Sequence, residues 1–385
     1  MEEALIIGAG LSGAVIARCL AEKGTRISIL ERRDHIAGNM YDYRDNHGFL
    51  VQKYGPHTFH TKEKYLFDYM CRFEDWQEYK LTCGAVWDGK YTPTPFNFTT
   101  IDTFYPREKA DELKAYLQQA FPGRKTATVV EVLENNNPLI REYAEFLFQN
   151  DYAPYTAKQW GILPGEIDPS VLKRVPLRFS YDEGYFDDCY QVMPIHSFTH
   201  FFENLLNHSN IKVHLSVNAL EHLSIDGNKL RWNGAFLSEP VVYTGPIDEL
   251  FQFQYGRLPY RSLRFEWKYS DQDSIQKAPV VAYPQEAEYT RITEYKKLPI
   301  QVRRGSSYAV EYPIPYQSDK EIEPYYPVLT RKSQEQYNRY QKLAANIPNL
   351  FCCGRLGDFK YYNMDQALDR ALSVAEEILS KEMCT

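Results

Sequence analysis

The chain has 385 residues, with 44 lysines and arginines against 51 aspartates and glutamates, for a net charge of −7. That length leaves room for two or three compact units with ample core, and the acidity argues against a nucleic-acid partner, whose phosphates favour a basic face. No apolar run reaches membrane-spanning length, and seven scattered cysteines without a CxxC pair suit neither a disulfide framework nor a zinc site, but do suit a reducing compartment.

The first strand, Ala4-Leu5-Ile6-Ile7, begins beside the initiator Met with no signal peptide before it, so a cytoplasmic location is expected. It runs into Gly8-x-Gly10-x-x-Gly13 and a helical pattern ending at Gly24. The first glycine permits a tight turn, the second lets the backbone approach a pyrophosphate, and the third lets helix pack on strand; the helix N-terminus then faces the anion. A second strand, Arg26 to Leu30, delivers Glu31, whose carboxylate can accept hydrogen bonds from ribose hydroxyls. Such a clamp suits NAD and FAD alike.

Further along, Leu81 to Tyr91 reads as a strand pair turning at Asp88-Gly89. Arg107 to Leu117 and Leu139 to Phe148 show helical spacing of apolar residues. Breakers at Phe121-Pro122-Gly123 and Asn135-Asn136-Asn137-Pro138 separate them, so a small helical domain with a mobile connection is expected. Tyr185 to Tyr312 is mostly strands and turns, apart from an amphipathic helix near Phe198 to Leu206. Val241 to Gly245 reads as a buried strand returning to the nucleotide domain, and Asn349 to Cys353 as a final short strand. The last helix runs from Met364 to Leu379, with Asn363 as its N-cap and Gln366 as a capping-box partner. Were a flavin at that helix start, the dipole would stabilise the reduced ring's negative charge. His57 and His60 are not expected to bind metal: Gly55-Pro56 argues against a helix that would align them, and no acidic or Cys cluster completes a site.

Several runs in this order carry a family resemblance: Gly8-Ala9-Gly10-Leu11-Ser12-Gly13-Ala14, Lys53-Tyr54-Gly55-Pro56-His57-Thr58-Phe59-His60-Thr61, Pro95-Phe96-Asn97, Tyr155-Thr156-Ala157-Lys158-Gln159-Trp160-Gly161, Thr290-Arg291-Ile292-Thr293-Glu294 and Gly354-Arg355-Leu356-Gly357. End to end, the chain resembles the bacterial UDP-galactopyranose mutases. The resemblance implies an α/β protein with a Rossmann-like FAD-binding domain in three pieces (1–78, 195–245 and 318–385), an inserted helical substrate and lid domain (98–172), and an antiparallel β-sheet domain (79–97, 173–194 and 246–317). A homodimer is the usual assembly that it implies.

The same resemblance assigns residues. Gly8, Gly10, Ser12, Gly13, Glu31, Arg32, Gly38, Asn39, His57, Gly354, Arg355, Asn363 and Met364 would hold FAD. Tyr155 would lie against uracil with Thr156 beside it, and Trp160 beside the sugar and the closing lid, although on sequence alone Trp160 reads equally well as core. Arg174 and Arg291 match the diphosphate-binding arginines; Tyr185, Tyr326 and Tyr361 would turn hydroxyls to the phosphates. His60, Lys173 and Asn97 complete the substrate set, and Arg174, Arg291 and His57 the catalytic one.

The implied reaction interconverts UDP-galactopyranose and UDP-galactofuranose. Reduced FAD N5 attacks the anomeric carbon, UDP leaves and returns, and no net redox occurs. NADPH or NADH would be the reductant, and the product would feed cell-surface polysaccharide synthesis. The alternative is an FAD-dependent oxidoreductase of the amine oxidase type. One departure from the pattern is Asn363, where relatives often carry Asp: an amide keeps the cap acceptor but removes a charge.

Overall fold

The computed structural model describes residues 2–161, 175–316 and 322–383. Five parallel strands form the nucleotide-binding sheet, in the order Ile211–His214, Arg26–Leu30, Glu3–Ile7, Val241–Tyr243 and Leu350–Cys352. Glu3–Ile7 is central because it is apolar on both faces, and Ile6 is fully buried. The chain continues to Arg26–Leu30 on one side of it and returns much later as Val241–Tyr243 on the other, so the strand order reverses here and a crevice opens at its carboxyl end, the usual ligand position in such sheets. Helix Leu11–Ala21 covers one face with Ala14, Val15 and Ala17 fully buried, and the last helix, Met364–Met383, packs against it through Leu368, Ala371 and Ala375. Small alanines on both surfaces are what allow two helices to approach closely. No helix among the described residues is long and apolar enough to cross a membrane.

A seven-stranded sheet forms the second layer, in the order Tyr326–Pro327, Tyr260–Ser270, Ser306–Pro315, Arg291–Glu294, Val280–Ala282, Cys83–Trp87 and Lys90–Thr94. The expected hairpin is there, with Asp88 and Gly89 both at positive φ, as a two-residue turn of this twist requires. Three expectations need correction. The sheet is not wholly antiparallel, since Val280–Ala282 runs parallel to Cys83–Trp87. Tyr326–Pro327, allotted to the FAD domain, is the edge strand of this sheet. Tyr190–Pro194, allotted to the sheet domain, instead pairs with Phe59–Thr61 and Trp76–Glu78 in a three-stranded sheet.

The helical unit contains Phe98–Phe104, Arg107–Ala120, Val129–Leu133, Pro138–Leu147 and Ala153–Trp160. Leu113, Val129, Val132, Ile140, Tyr143 and Leu147 form its core. The connection expected to be mobile is built of regular elements. Thr126–Ala127 pairs with Leu177–Arg178, Thr128 and Glu131 make a reciprocal capping box, and Asn137 accepts from the Leu139 and Ile140 N–H groups to start a helix with Pro138 in its first turn. Of the residues read as breakers, Asn137-Pro138 is therefore a helix start, because Pro lacks only a hydrogen bond that the first turn does not make, whereas Phe121-Pro122-Gly123 does end helix Arg107–Ala120. A π-helical turn, Phe148–Tyr152, joins this helix to Ala153–Trp160.

Candidate active site

The glycine loop is shaped by contacts that admit no side chain. Gly8 has φ +107°, and a Cβ there would lie 2.0 Å from Thr244 Oγ1; a Cβ on Gly13 would lie 2.0 Å from the Gly8 carbonyl oxygen. Gly10 faces Gly38 across the crevice, where an added Cβ would meet only the Gly38 Cα at 3.7 Å. The Ala9 N–H donates to Glu31 Oε2 at 2.7 Å and the Arg33 N–H to Oε1 at 2.9 Å, so the acid fixes the loop as well as lining the crevice.

The cavity bounded by this loop is continuous with solvent. Gly8, Gly10, Ser12, Glu31, Arg32 and Gly38 line it together with Asn39, His57, Gly354, Arg355, Asn363 and Met364. Gly13 does not line it and acts through helix packing. Arg32 and Arg33 share Glu323 at 2.7 and 2.9 Å, and these guanidiniums hold the Glu323 carboxyl down at about 2 despite burial. Arg33 also lies over the Tyr54 ring at 4.3 Å. This cluster fixes the arginines beside the crevice, and neither Arg33 nor Glu323 stood out in the sequence. At the last helix the Asn363 N–H donates to Gln366 Oε1 at 2.9 Å, one half of the expected capping box. A glycine cradle at a helix N-terminus, with an acid at the end of the second strand, fits the pyrophosphate and ribose of FAD.

A second cavity adjoins the first, and Asn39, His57, Tyr325, Arg355, Asn363 and Met364 line both. Helix Ala153–Trp160 supplies Tyr155, Thr156 and Gln159 to its wall. The Gln159 amide donates to the Tyr326 hydroxyl, and the Tyr326 and Tyr361 ring centroids lie 5.5 Å apart. Tyr185 lines the same cavity, as does His60, which bonds Asp188 at 2.5 Å and stacks on Phe186 at 3.5 Å. Arg291 projects from the sheet with its Nε donating to Glu311 Oε1 at 2.7 Å; its two terminal nitrogens donate to no described residue. Arg355 is aimed by the Tyr325 and Tyr362 carbonyls, at 3.2 and 2.7 Å.

His57 is held between these two cations. Burial, then Arg355, then Arg291 push its imidazole down to about 4, against the pull of the Gly55 carbonyl at 2.9 Å from Nδ1. The ring is therefore neutral at ordinary pH, with the proton on Nδ1 and the Nε2 lone pair free to accept. Since the unfolded chain binds this proton first, the contribution of His57 to stability is full above about pH 6.5 and falls as pH drops towards 4. Denaturant titrations across that window should show a shallower acid limb in His57→Gln than in the parent.

Other assigned residues fall elsewhere. Asn97 is corrected from ligand to cap: it lines neither cavity, is 1% exposed, accepts from the Thr99 N–H at 2.8 Å and donates to the Asp182 carbonyl. Its amide is consumed by starting helix Phe98–Phe104. Lys173, Arg174 and the Trp160 side chain lie outside the described residues. Lys158, which sequence reasoning passed over, donates to the carbonyls of Tyr283, Glu286 and Tyr289 at 2.6 to 2.7 Å, and burial brings its ammonium down to about 8. It ties the helix bearing Tyr155 to the sheet.

A dinucleotide crevice that opens into an aromatic and arginine-lined cavity defines the class: a Rossmann-type dinucleotide-binding protein with a second, adjoining cavity. Comparison with known proteins narrows this. The family model described as UDP-galactopyranose mutase matches residues 150–361, and that of an NAD(P)-binding Rossmann-like domain matches residues 6–73. The chain is 34% identical to the UDP-galactopyranose mutase of Mycoplasma pneumoniae, over 97% of this chain and 96% of that protein. It is 35% identical to the dTDP-fucopyranose mutase of Escherichia coli, over 98% of each. A crystal structure of reduced UDP-galactopyranose mutase shares the fold with a TM-score of 0.76, at 16% identity, covering 99% of this chain and 94% of the other. The chain belongs to the UDP-galactopyranose mutase family.

Proposed function

We propose that this protein interconverts UDP-galactopyranose and UDP-galactofuranose, with FAD in the first cavity and the nucleotide sugar in the second. The observation that carries the reading is the common wall of His57, Arg355, Asn363 and Met364, which gives the two occupants one meeting point. Arg291 and Arg355 hold the diphosphate, joined by Arg174, and neutralise the charge that grows as UDP departs. Tyr326 and Tyr361 offer hydroxyls to the phosphates, and Tyr185 completes that side. Tyr155 covers the uracil face, Thr156 packs beside it, and His60 lies on the sugar side. Neutral His57 accepts a hydrogen bond at Nε2 and adds no positive charge to the site. His57, Arg355, Asn363 and Met364 would hold the flavin end of FAD at the common wall; in its reduced form that group would supply the nucleophile for the anomeric carbon without net redox, so NADPH or NADH would be needed for priming and not for each turnover. The enzyme works as a cytoplasmic homodimer that supplies furanose donors for cell-surface polysaccharide.

The test is anaerobic incubation with UDP-galactose, with and without dithionite. The purified protein should contain about one FAD per chain, and many UDP-galactofuranose molecules should form for each flavin reduced. Stoichiometric oxidation of the sugar, or turnover with strictly oxidised flavin, would reject the reading.

A further inference from the structure

The wall of the second cavity carries a carboxylate that the reaction above leaves without a task. Asp151 sits in the π-helical turn Phe148–Tyr152, one turn before Tyr155. It lines the cavity together with Tyr152, Tyr155, Thr156 and Gln159, positions that share one face of the continuous helical path. No described residue donates a hydrogen bond to it. The cation acting on it, Lys158, has its donors taken by carbonyls of the sheet loop. Burial pushes the Asp151 carboxyl up to about 7, with Lys158 opposing, so its ionisation is poised near neutrality and a hydrogen-bond donor on a ligand would favour the charged form.

Above about pH 7, where it is ionised, this carboxylate accepts and cannot donate. At the nucleoside end of a UDP-sugar, the donors are the uracil N3–H and the two ribose hydroxyls. Tyr155 takes the face of the base, and one helical turn displaces Asp151 by about 5.4 Å along the axis, which sets it at the ring's edge. We propose that Asp151 reads the imide edge of the pyrimidine by accepting N3–H, and so selects uracil or thymine nucleotides over cytosine, whose N3 is itself an acceptor. This assignment rests on the nucleotide placement proposed above.

Binding of UDP, N3-methyl-UDP, 2′-deoxy-UDP and CDP to the flavin-loaded protein, measured by calorimetry, tests it. The parent should lose about tenfold to a hundredfold in affinity on N3-methylation, as for a charge-assisted hydrogen bond. Asp151→Ala, which also makes room for the methyl group, should bind UDP and N3-methyl-UDP within about threefold of each other. Asp151→Asn keeps the volume and can turn its amide to donate to cytosine N3, so its UDP-to-CDP preference should shrink about tenfold or more. Unchanged ratios in both variants overturn the proposal, as does a change confined to the 2′-deoxy ligand, which would assign Asp151 to the ribose. Failure of the parent to bind UDP at all overturns the functional reading beneath it, and this inference with it.

Discussion

Arg291→Ala should lower turnover by roughly 30- to 1000-fold, equivalent to about 2–4 kcal/mol of lost charge-assisted contact in the transition state. The structure adds a complication that separates two roles of the residue. Glu311 is fully buried, and its Oε2 has no hydrogen-bond partner among the described residues, so Arg291 is what balances its charge there. Removing the arginine alone leaves that carboxylate uncompensated, at a cost to stability of about 3–5 kcal/mol. Replacing both, as Arg291→Ala with Glu311→Gln, should return most of the thermal stability while turnover stays low. Denaturation midpoints and initial rates on the parent and the two variants decide the matter. A double variant that regained parental turnover would remove Arg291 from the diphosphate clamp and leave it a purely structural partner.

The glycines of the loop should fail in two different ways. Gly10 has φ −78°, open to any residue, and only the Gly38 Cα stands near its added Cβ, at 3.7 Å. Gly10→Val should fold and purify colourless, because its methyl groups occupy the space where pyrophosphate meets backbone. Gly13→Val places a Cβ 2.0 Å from the Gly8 carbonyl oxygen and forces helix Leu11–Ala21 off its strand. That variant should lose at least about 3 kcal/mol of stability, from overpacking against rigid backbone. Visible absorbance and thermal melts distinguish the two. Yellow, FAD-replete Gly10→Val would disprove the proposed pyrophosphate position.

What the sequence makes legible follows the range of the interactions. The strand, glycines, helix and Glu31 of the clamp are local, and each residue type is demanded by backbone geometry, so they could be read directly. The Asp88-Gly89 hairpin and the amphipathic helix Phe198–Leu206 were legible for the same reason. Asn97 shows the limit, because an asparagine before a helix serves equally as cap and as ligand, and only the Asp182 carbonyl opposite it decides. Arg33 and Glu323 are 290 residues apart, and Lys158 meets carbonyls more than 120 positions away. No spacing rule records such partners. The breaker-rich stretch at Asn135 to Pro138 misled because Asn and Pro mark helix starts as well as chain interruptions. The exchange of Tyr326–Pro327 and Tyr190–Pro194 between domains has a similar origin: a two- or five-residue strand carries no sign of which sheet it will join.

The wall common to the two cavities has a thermodynamic corollary. A residue such as Arg355, bounding both spaces and anchored by the carbonyls of Tyr325 and Tyr362, cannot be positioned for one occupant independently of the other. Whatever factor separates the affinity of UDP for flavin-loaded and flavin-free protein must reappear, by the closure of the cycle, as the factor by which UDP alters the retention of flavin. Cofactor retention and nucleotide recognition are thus two readings of one coupling constant, and selection acting on either must move both.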